Sequence, residues 1–369
     1  MTGGPAHGTA AAWPRQANTL RLFLGGDVMT GRAIDQLFAV HNDDDFGKPE
    51  HVPARRYLAL SAALHGGEMR PVRHDYVWGS ALGVLDQAQP DFRLVNLETA
   101  ITTSNAWEKK QFSFRMHPAN VPCLTSAGID CCALANNHVL DFGVDGLLET
   151  VRTLQAAGIG HAGAGIDAAA AAAPHVHPLR DGRRILVFSW AFRDSHVRFD
   201  HWAAGDGRPG INFLPDCNEA AARRMRASIE AHRREGDVTI ASLHWGANWV
   251  RSIPEAHRAL ARFLVDEAGV DVIHGHSSHH VLPVEIYRGK PIFYGCGDLI
   301  NDYEGNPKHR PLRGHLGALY FIDLDIETRR LQAIRARPVQ RRRFRLEMPS
   351  REDAQWVLAQ IRGQAAAAP

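Results

Sequence analysis

Thiolate chemistry is the first thing this sequence lacks the pattern for. Its five cysteines (Cys123, Cys131, Cys132, Cys217 and Cys296) form an odd, irregular set without a Cys-x-x-Cys pair. Neighbours such as Cys131 and Cys132 would point to opposite faces of a strand. Neither a disulfide framework nor a thiolate zinc site is expected, and reduced thiols in a cytosolic protein fit the set. An excess of one charge is also missing. With 42 basic and 40 acidic residues the formal net charge is +2, so neither nucleic acid nor an anionic membrane is the expected partner. The local exception, Arg341-Arg342-Arg343-Phe344-Arg345, is short enough to read as a solvated strand or loop face. No window approaches the ~20 apolar residues of a membrane span. Residues 1–18 are rich in Gly, Ala and Pro, hold no apolar core of signal-peptide length and read as a disordered leader. A cytoplasmic protein is expected. Nor is there a Walker loop, a Gly-x-Gly-x-x-Gly after a strand, or a motif marking a pyridoxal lysine. Neither nucleotide nor pyridoxal phosphate is expected as cofactor.

What is present is a recurring unit: a short apolar run that stops at a polar loop. Thr19 to Leu24 leads to Gly25-Gly26-Asp27, Asp91 to Val95 to Asn96-Leu97-Glu98, and Ile129 to Leu134 to Ala135-Asn136-Asn137-His138. Arg184 to Ser189 leads to Trp190, Asp237 to Leu243 to His244-Trp245-Gly246, Val270 to Ile273 to His274-Gly275-His276, and Pro291 to Tyr294 to Gly295-Cys296-Gly297-Asp298. Helical stretches lie between, Gly146 to Ala157 before Gly158 and Pro254 to Ala268 before Gly269, each ending on a glycine suited to a C-cap. The alternation predicts an α/β fold. Arg313 to Asp325 and Leu331 to Arg345 predict a closing strand pair, and Ser350 to Arg362 a terminal helix. In such folds ligands sit beyond the carboxyl ends of the strands, where these polar residues fall.

Asp27, Glu98, Asn137, His244 and His276 therefore form a candidate metal set. Each alone has a plainer reading: a helix cap for Asp27, a turn for Asn137, a hydrogen-bonded core histidine for His244. Together, in order, and free of thiolate, they suit a hard or borderline divalent cation such as Ca, Mg, Mn, Fe or Zn.

The motifs around these residues carry a resemblance. Gly26-Asp27-Val28-Met29-Thr30-Gly31-Arg32, Asn96-Leu97-Glu98-Thr99, Asn136-Asn137-His138 with Asp141, His244-Trp245-Gly246 and Gly275-His276-Ser277-Ser278-His279-His280 resemble the CapA (poly-γ-glutamate synthesis) family over about residues 20 to 305. That family is similar in turn to the calcineurin-like metallophosphoesterases. The resemblance implies a layered β-sheet core flanked by helices in one catalytic domain, residues 19–345. Residues 41–80, with many His, Asp, Pro and Gly, read as an insertion that could cap the site, and 346–369 as a C-terminal helix and tail. The stretch from Tyr294 to Gly305 resembles a soluble branch that includes a lasso-peptide epimerase. Three departures from the phosphatase pattern stand out: Met29 where a histidine is usual, Glu98 in place of a bridging aspartate, and altered spacing after His276. They imply one metal ion, or one tight and one labile, rather than a binuclear phosphatase centre.

The implied chemistry is inversion of a Cα, in the C-terminal residue (a tryptophan by resemblance) of a ribosomal precursor peptide. It needs two acid/base groups flanking the carbon, and histidines backed by carboxylates meet the need. His138 with Asp141 is one candidate pair, and the resemblance implies a catalytic acid at His138. His279 or His280 with Asp298 or Asp302 is the other. Cys296 is an alternative proton carrier, or else a small buried hydrophobe. Arg32 and Arg115 are candidates to pair with a substrate carboxylate. Among the aromatics near the motifs (Trp78, Trp107, Trp190, Trp245, Trp249, Tyr303), Trp245 and Tyr303 are candidates to contact substrate, packing being the simpler role for most. Two other functions are open: hydrolysis of phosphate esters or of peptide/γ-glutamyl amides, and a non-catalytic subunit of a polymer or peptide assembly. The oligomeric state has no signature here.

Overall fold

The computed structural model describes residues 12–43, 51–67, 71–197, 200–304 and 312–363. β1 (Thr19–Val28), β2 (Phe92–Leu97), β3 (Cys131–Ala133) and β4 (Gly160–Ala162) are parallel neighbours in a first sheet. The chain then crosses to a second sheet, where β5 (Arg184–Phe192), β6 (Val238–His244), β7 (Val272–His276) and β8 (Lys290–Phe293) run parallel. It returns as β9 (Asp298–Ile300), parallel to the end of β1, and closes the first sheet with antiparallel β10 (Leu316–Asp325) and β11 (Leu331–Arg342). Each strand predicted from the apolar runs is found; most run on through the polar residues that follow, because those residues still pair.

Burial follows the two-residue period of a strand. In the first sheet Leu20, Leu22, Leu24, Phe92 and Leu94 face Ile185, Val187, Val238, Ile240 and Val272 of the second, forming one core between the sheets. The alternate residues face outward. Phe23, Val95 and Leu97 pack under α1 (Ala54–His65), α2 (Ala81–Ala88) and α3 (Gly143–Ala156). Phe188, Trp190 and Leu243 pack under α4 (Glu219–Glu230) and α5 (Glu255–Glu267). The layers are helix, sheet, sheet, helix, the arrangement the calcineurin-like resemblance implies. The terminal helix, Arg351–Ile361, covers the β10–β11 end through Val357 and Ile361. Among the described residues no helix is long and apolar enough to cross a membrane.

One irregularity places the site. β1 pairs Leu24 with Leu94 but Asp27 with Asn96, so β1 carries one residue more than β2 across Gly25-Gly26. This bulge reverses the alternation: Phe23 and Val28, five residues apart, lie in the same outer cluster, and Asp27 turns inward. Glycine is required there, since a Cβ on Gly26 would lie 1.7 Å from the Gly297 carbonyl oxygen.

Two expectations need amending. Trp13 donates its backbone N–H to the Gln87 carbonyl and packs edge-on against Phe321, and Arg15 pairs with Asp91. The end of the expected disordered leader is thus bound to the sheet; residues 1–11 lie outside the described residues. Arg341, read as solvated, is buried and donates to the carbonyls of Asp298, Gly314 and Leu316. Within the expected insertion at 41–80, α1 lies against the site end, its Tyr57 on Arg32; residues 44–50 and 68–70 lie outside the described residues.

Gly26→Ala is expected to lower stability by at least about 3 kcal/mol. Gly83→Ala, inside α2 with open space around it, should gain about 0.5–1 kcal/mol. Urea denaturation of both reads the contrast, and an unshifted midpoint for Gly26→Ala would contradict the bulge.

A candidate metal centre where the two sheets meet

Near their carboxyl ends the inward positions change from apolar to polar. On β1 and β2 these are Asp27 and Asn96; on β6 and β7 they are Ser242, His244, His274 and His276. His244 and His276 are register partners, and the sheets touch here: Ser277 N–H donates to Asp27 Oδ2 at 3.2 Å, and His274 Nε2 to the Gly25 carbonyl at 2.8 Å.

The resulting centre is acidic and buried. Asp27, Glu98 and Asp298 are each 1% exposed or less. Two sets of three donors lie within 4.8 Å of one another, Asp27–His244–His276 and Asp27–Glu98–His279, with Asp27 in both. Burial and the Asp298 charge raise the Asp27 carboxyl, only partly offset by His279, to about 7. Burial and Asp27 push Glu98 well above the carboxylate range. Glu98 Oε1 is buried without a hydrogen-bond partner among the described residues, standing 3.8 Å from His138 Nε2 and 3.9 Å from His244 Nε2. An orphaned carboxylate oxygen in a cage of carboxylates and imidazoles fits a divalent cation. Asn137 Oδ1 lies 3.1 Å from His244 Nε2, so Asn137 stands beside the other four expected donors.

A hydrogen-bond relay sets the tautomer of His276. The Gly25 carbonyl can only accept, so His274 carries its proton on Nε2; burial lowers its pKa to about 4, and the ring is neutral. His274 Nδ1 therefore accepts from Ser242 Oγ at 3.0 Å. With its one proton spent, Ser242 Oγ accepts from His276 Nε2 at 2.9 Å. His276 Nδ1 is left as a lone pair, 2.8 Å from His244 Nδ1 and 4.0 Å from Asp27 Oδ1. Such outer partners commonly orient metal-binding imidazoles.

Two imidazole–carboxylate pairs flank the cluster. His138 Nδ1 donates to Asp141 Oδ2 at 2.6 Å, and Asp141 also accepts from Lys110 Nζ at 2.5 Å and Phe114 N–H at 2.8 Å. Burial lowers His138 to about 4, against the pull of Asp141 and helped by Lys110. His279 Nδ1 donates to Asp298 Oδ1 at 2.7 Å and lies 3.5 Å from Asp27 Oδ2. Burial alone would lower His279, but Asp298, Glu98 and Asp27 outweigh it and raise the ring to about 10.

Of the expected alternatives, the pairing is thus His279 with Asp298. His280 Nε2 donates to the Val250 carbonyl at 2.6 Å and its ring stacks on Trp249. Asp302 is taken by Arg32, which donates Nε at 3.1 Å and stacks on Tyr57 and Phe114. Cys296 packs in the core between the sheets, burial pushing its thiol up. Arg115 donates to the Ser104 carbonyl and Asn105, bracing a loop. Trp245 is core, bonded to the Tyr294 carbonyl and stacked on His257. Tyr303 stands edge-on to His279 at 6.1 Å, and Trp249 approaches the same ring at 5.6 Å. Sequence reasoning missed Lys110, Ser242 and His274; only the last two carried a signal, the period of their strands.

The family described as bacterial capsule synthesis protein PGA_cap is matched over residues 21–303. The chain belongs to this family. A Mycobacterium tuberculosis protein named as a probable polyglutamine synthesis accessory protein is 40% identical over 342 residues, 92% of this chain and 90% of the relative. The PGA biosynthesis protein CapA of Bacillus subtilis is 26% identical over 273 residues, covering 69% and 67%. A solved phosphatase structure from Mycoplasma pneumoniae is 10% identical with a TM-score of 0.44, over 90% of this chain and 95% of that one. The two sequence relatives are named for polymer synthesis.

The raised Asp27 carboxyl sets a pH dependence. Without a cation its contribution to stability is full below about 4, the pKa of an unfolded aspartate, and is lost as pH rises through about 7. A bound cation reverses this by favouring the ionised form. Manganese, a cation without preference for thiolate, should therefore raise the melting temperature at pH 8 and far less at pH 5, and Asp27→Asn should abolish the difference. Thermal melts at both pH values, with and without ion, check this.

Proposed function

We propose that this chain is a divalent-metal-dependent enzyme of peptide or poly-amino-acid metabolism that inverts a Cα stereocentre by two-base chemistry. One observation carries the reading: His138–Asp141 and His279–Asp298 come from different strand-end loops and converge on one buried carboxylate, Glu98, which His279 shares with Asp27. A single proton transfer needs one such pair; removal from one face and return to the other needs two. The names of the M. tuberculosis and B. subtilis relatives support an amide-linked amino-acid substrate.

A divalent cation held by Asp27, His244 and His276, with Asn137 and Glu98 in reach, would supply a Lewis acid for the substrate carbonyl or carboxylate. The remaining work falls to the protein. Asp141 and Asp298 each hold a ring at Nδ1, so Nε2 of each imidazole handles the proton. One Nε2 takes the proton from Cα and the other returns one to the opposite face. Trp249 and Tyr303 flank His279 and would exclude water beside it. The buried Arg32–Asp302 pair serves as scaffold for Tyr303 and not as a carboxylate clamp.

A second reading has its own support. Asp27 is common to both donor sets, an arrangement suited to a pair of cations and so to hydrolysis of a γ-glutamyl amide or phosphate ester. The word "accessory" in the M. tuberculosis relative's name favours a third, a partner subunit without turnover.

In heavy water, with metal and a peptide or oligoglutamate substrate, the expected product gains one deuterium at Cα and is otherwise isobaric. His138→Gln and His279→Gln should each slow this about 10²–10⁴-fold with metal content retained. A cleaved product would instead establish hydrolysis. Full biological function in both variants would establish the accessory role.

A further inference from the structure

On the outer side of the second sheet, a different trio of ligand-type side chains stands together. Asp194 follows β5, Cys217 immediately precedes the Asn218 cap of α4, and His257 lies in the first turn of α5. A carboxylate oxygen, the thiol sulfur and a ring nitrogen lie within 4.8 Å of one another. They line a cavity of about 380 Å³ that Arg193, Asn218 and Pro254 also border.

The trio is already partly organised. Asp194 accepts from Gly246 N–H at 3.0 Å and shares a 2.7 Å hydrogen bond with His257 Nε2. Burial pushes the Asp194 carboxyl up, but these bonds more than offset it and hold it below the usual range. The His257 ring is buried and stacked on Trp245 with centroids 4.6 Å apart and planes 4° from parallel. Arg193, the cation beside the cavity, pairs with Asp200 at 2.7 Å. Nothing in the reaction proposed above uses these groups.

We infer that Asp194, Cys217 and His257 form a second metal site, of the zinc class, with one thiolate, one imidazole and one carboxylate ligand and a fourth position open to the cavity. Mixed sulfur, nitrogen and oxygen donors in threes suit zinc, and a site with three protein ligands keeps an open position. One ionised carboxylate and one thiolate would balance the charge of the ion. As a free thiol Cys217 stays protonated, because burial, Asp194 and Asp216 push it up; coordination would deprotonate it, so binding releases a proton. The spacing of the cysteines hid this arrangement, since the three ligands come from segments far apart in the chain. The ion would also brace the loop from His244 to Trp249, through Gly246 N–H on Asp194 and Trp245 on His257.

Cobalt(II) titration of the chelator-stripped full chain distinguishes this site from the Asp27 centre, which has no thiolate. A sulfur-to-cobalt charge-transfer band in the near ultraviolet is expected, lost in Cys217→Ser and kept in His276→Ala and Cys123→Ser. Zinc should abolish the band and protect Cys217 of the unaltered protein from alkylation, read by peptide mass spectrometry. Absence of the band, its persistence in Cys217→Ser, or alkylation of Cys217 at the same rate with and without zinc would each overturn the inference.

Discussion

The extra residue in β1 at Gly25-Gly26 is the constraint on which the candidate site depends. A strand that kept strict alternation would bury Leu20, Leu22 and Leu24 between the sheets and turn Asp27 outward, under the helices. The bulge reverses the phase, so that Phe23 and Val28 share the outer core while Asp27 faces inward opposite Asn96. Only glycine permits it, because Gly26 lies against the Gly297 backbone. The same contact brings β9 alongside β1 in register Asp27 to Asp298. Two carboxylates thereby meet, and through Asp298 the His279 loop is drawn in. A local twist of one strand thus supplies the geometry for both donor sets.

That geometry has an electrostatic cost. Asp27, Glu98 and Asp298 are buried together, and like charges so placed resist ionisation. Part of the cost is met within the protein. Asn96 donates to Asp27 at 2.8 Å, Asn301 donates to Asp298 at 2.7 Å, and the His279 ring sits between Asp298 and Asp27. Lys110 adds a positive charge on the far side, through Asp141. Glu98 Oε1 is not served by any of these. The inner imidazoles are kept neutral by burial, which suits them as ligands and leaves the negative charge uncompensated on that side. A cation is the one kind of partner that answers both the orphaned oxygen and the neutral rings.

Much of this was legible from sequence because each inward strand position is read twice, once by its period and once by the loop that follows. Apolar runs stopping at Asp27, Glu98, Asn137, His244 and His276 marked strand ends, and strand ends of parallel sheets gather at one edge. The inner-face parity of Ser242 and His274 was also readable, but a buried serine or histidine two residues before a motif looks like ordinary core. Lys110 had no signal, since it reaches Asp141 from an irregular loop. Arg32 and Asp302 were readable as charged residues in motifs. Their mutual pairing was not, because nothing along the chain says that residues 270 apart will neutralise each other. At the end of the expected leader composition misled: Trp13 and Arg15 are two anchors there, and composition averages them away.

His279 and His280 show where backbone conformation decides what side-chain chemistry cannot. Both are histidines in one loop, and either had carboxylates within reach in sequence. Ser277 and His279 both adopt positive φ, 91° and 59°, and so do Trp249 at 61° and Arg32 at 50°. Non-glycine residues in this region are disfavoured, costing on the order of 1–3 kcal/mol each. Four of the twelve such residues described stand at the donor sets or among the residues that line them. The left-handed turn at His279 aims that ring at Asp298 and Asp27, while His280 is carried round to the Val250 carbonyl. Ser277 offers its N–H to Asp27 and its hydroxyl to the Gly246 carbonyl, tying the two loops that carry His244 and His279. Strain held this way persists only where surrounding contacts over-determine it. The burial of Ser277 and His279 and their bonds to both sheets provide that over-determination, which is why the energetically poorer backbone is the one that builds the site.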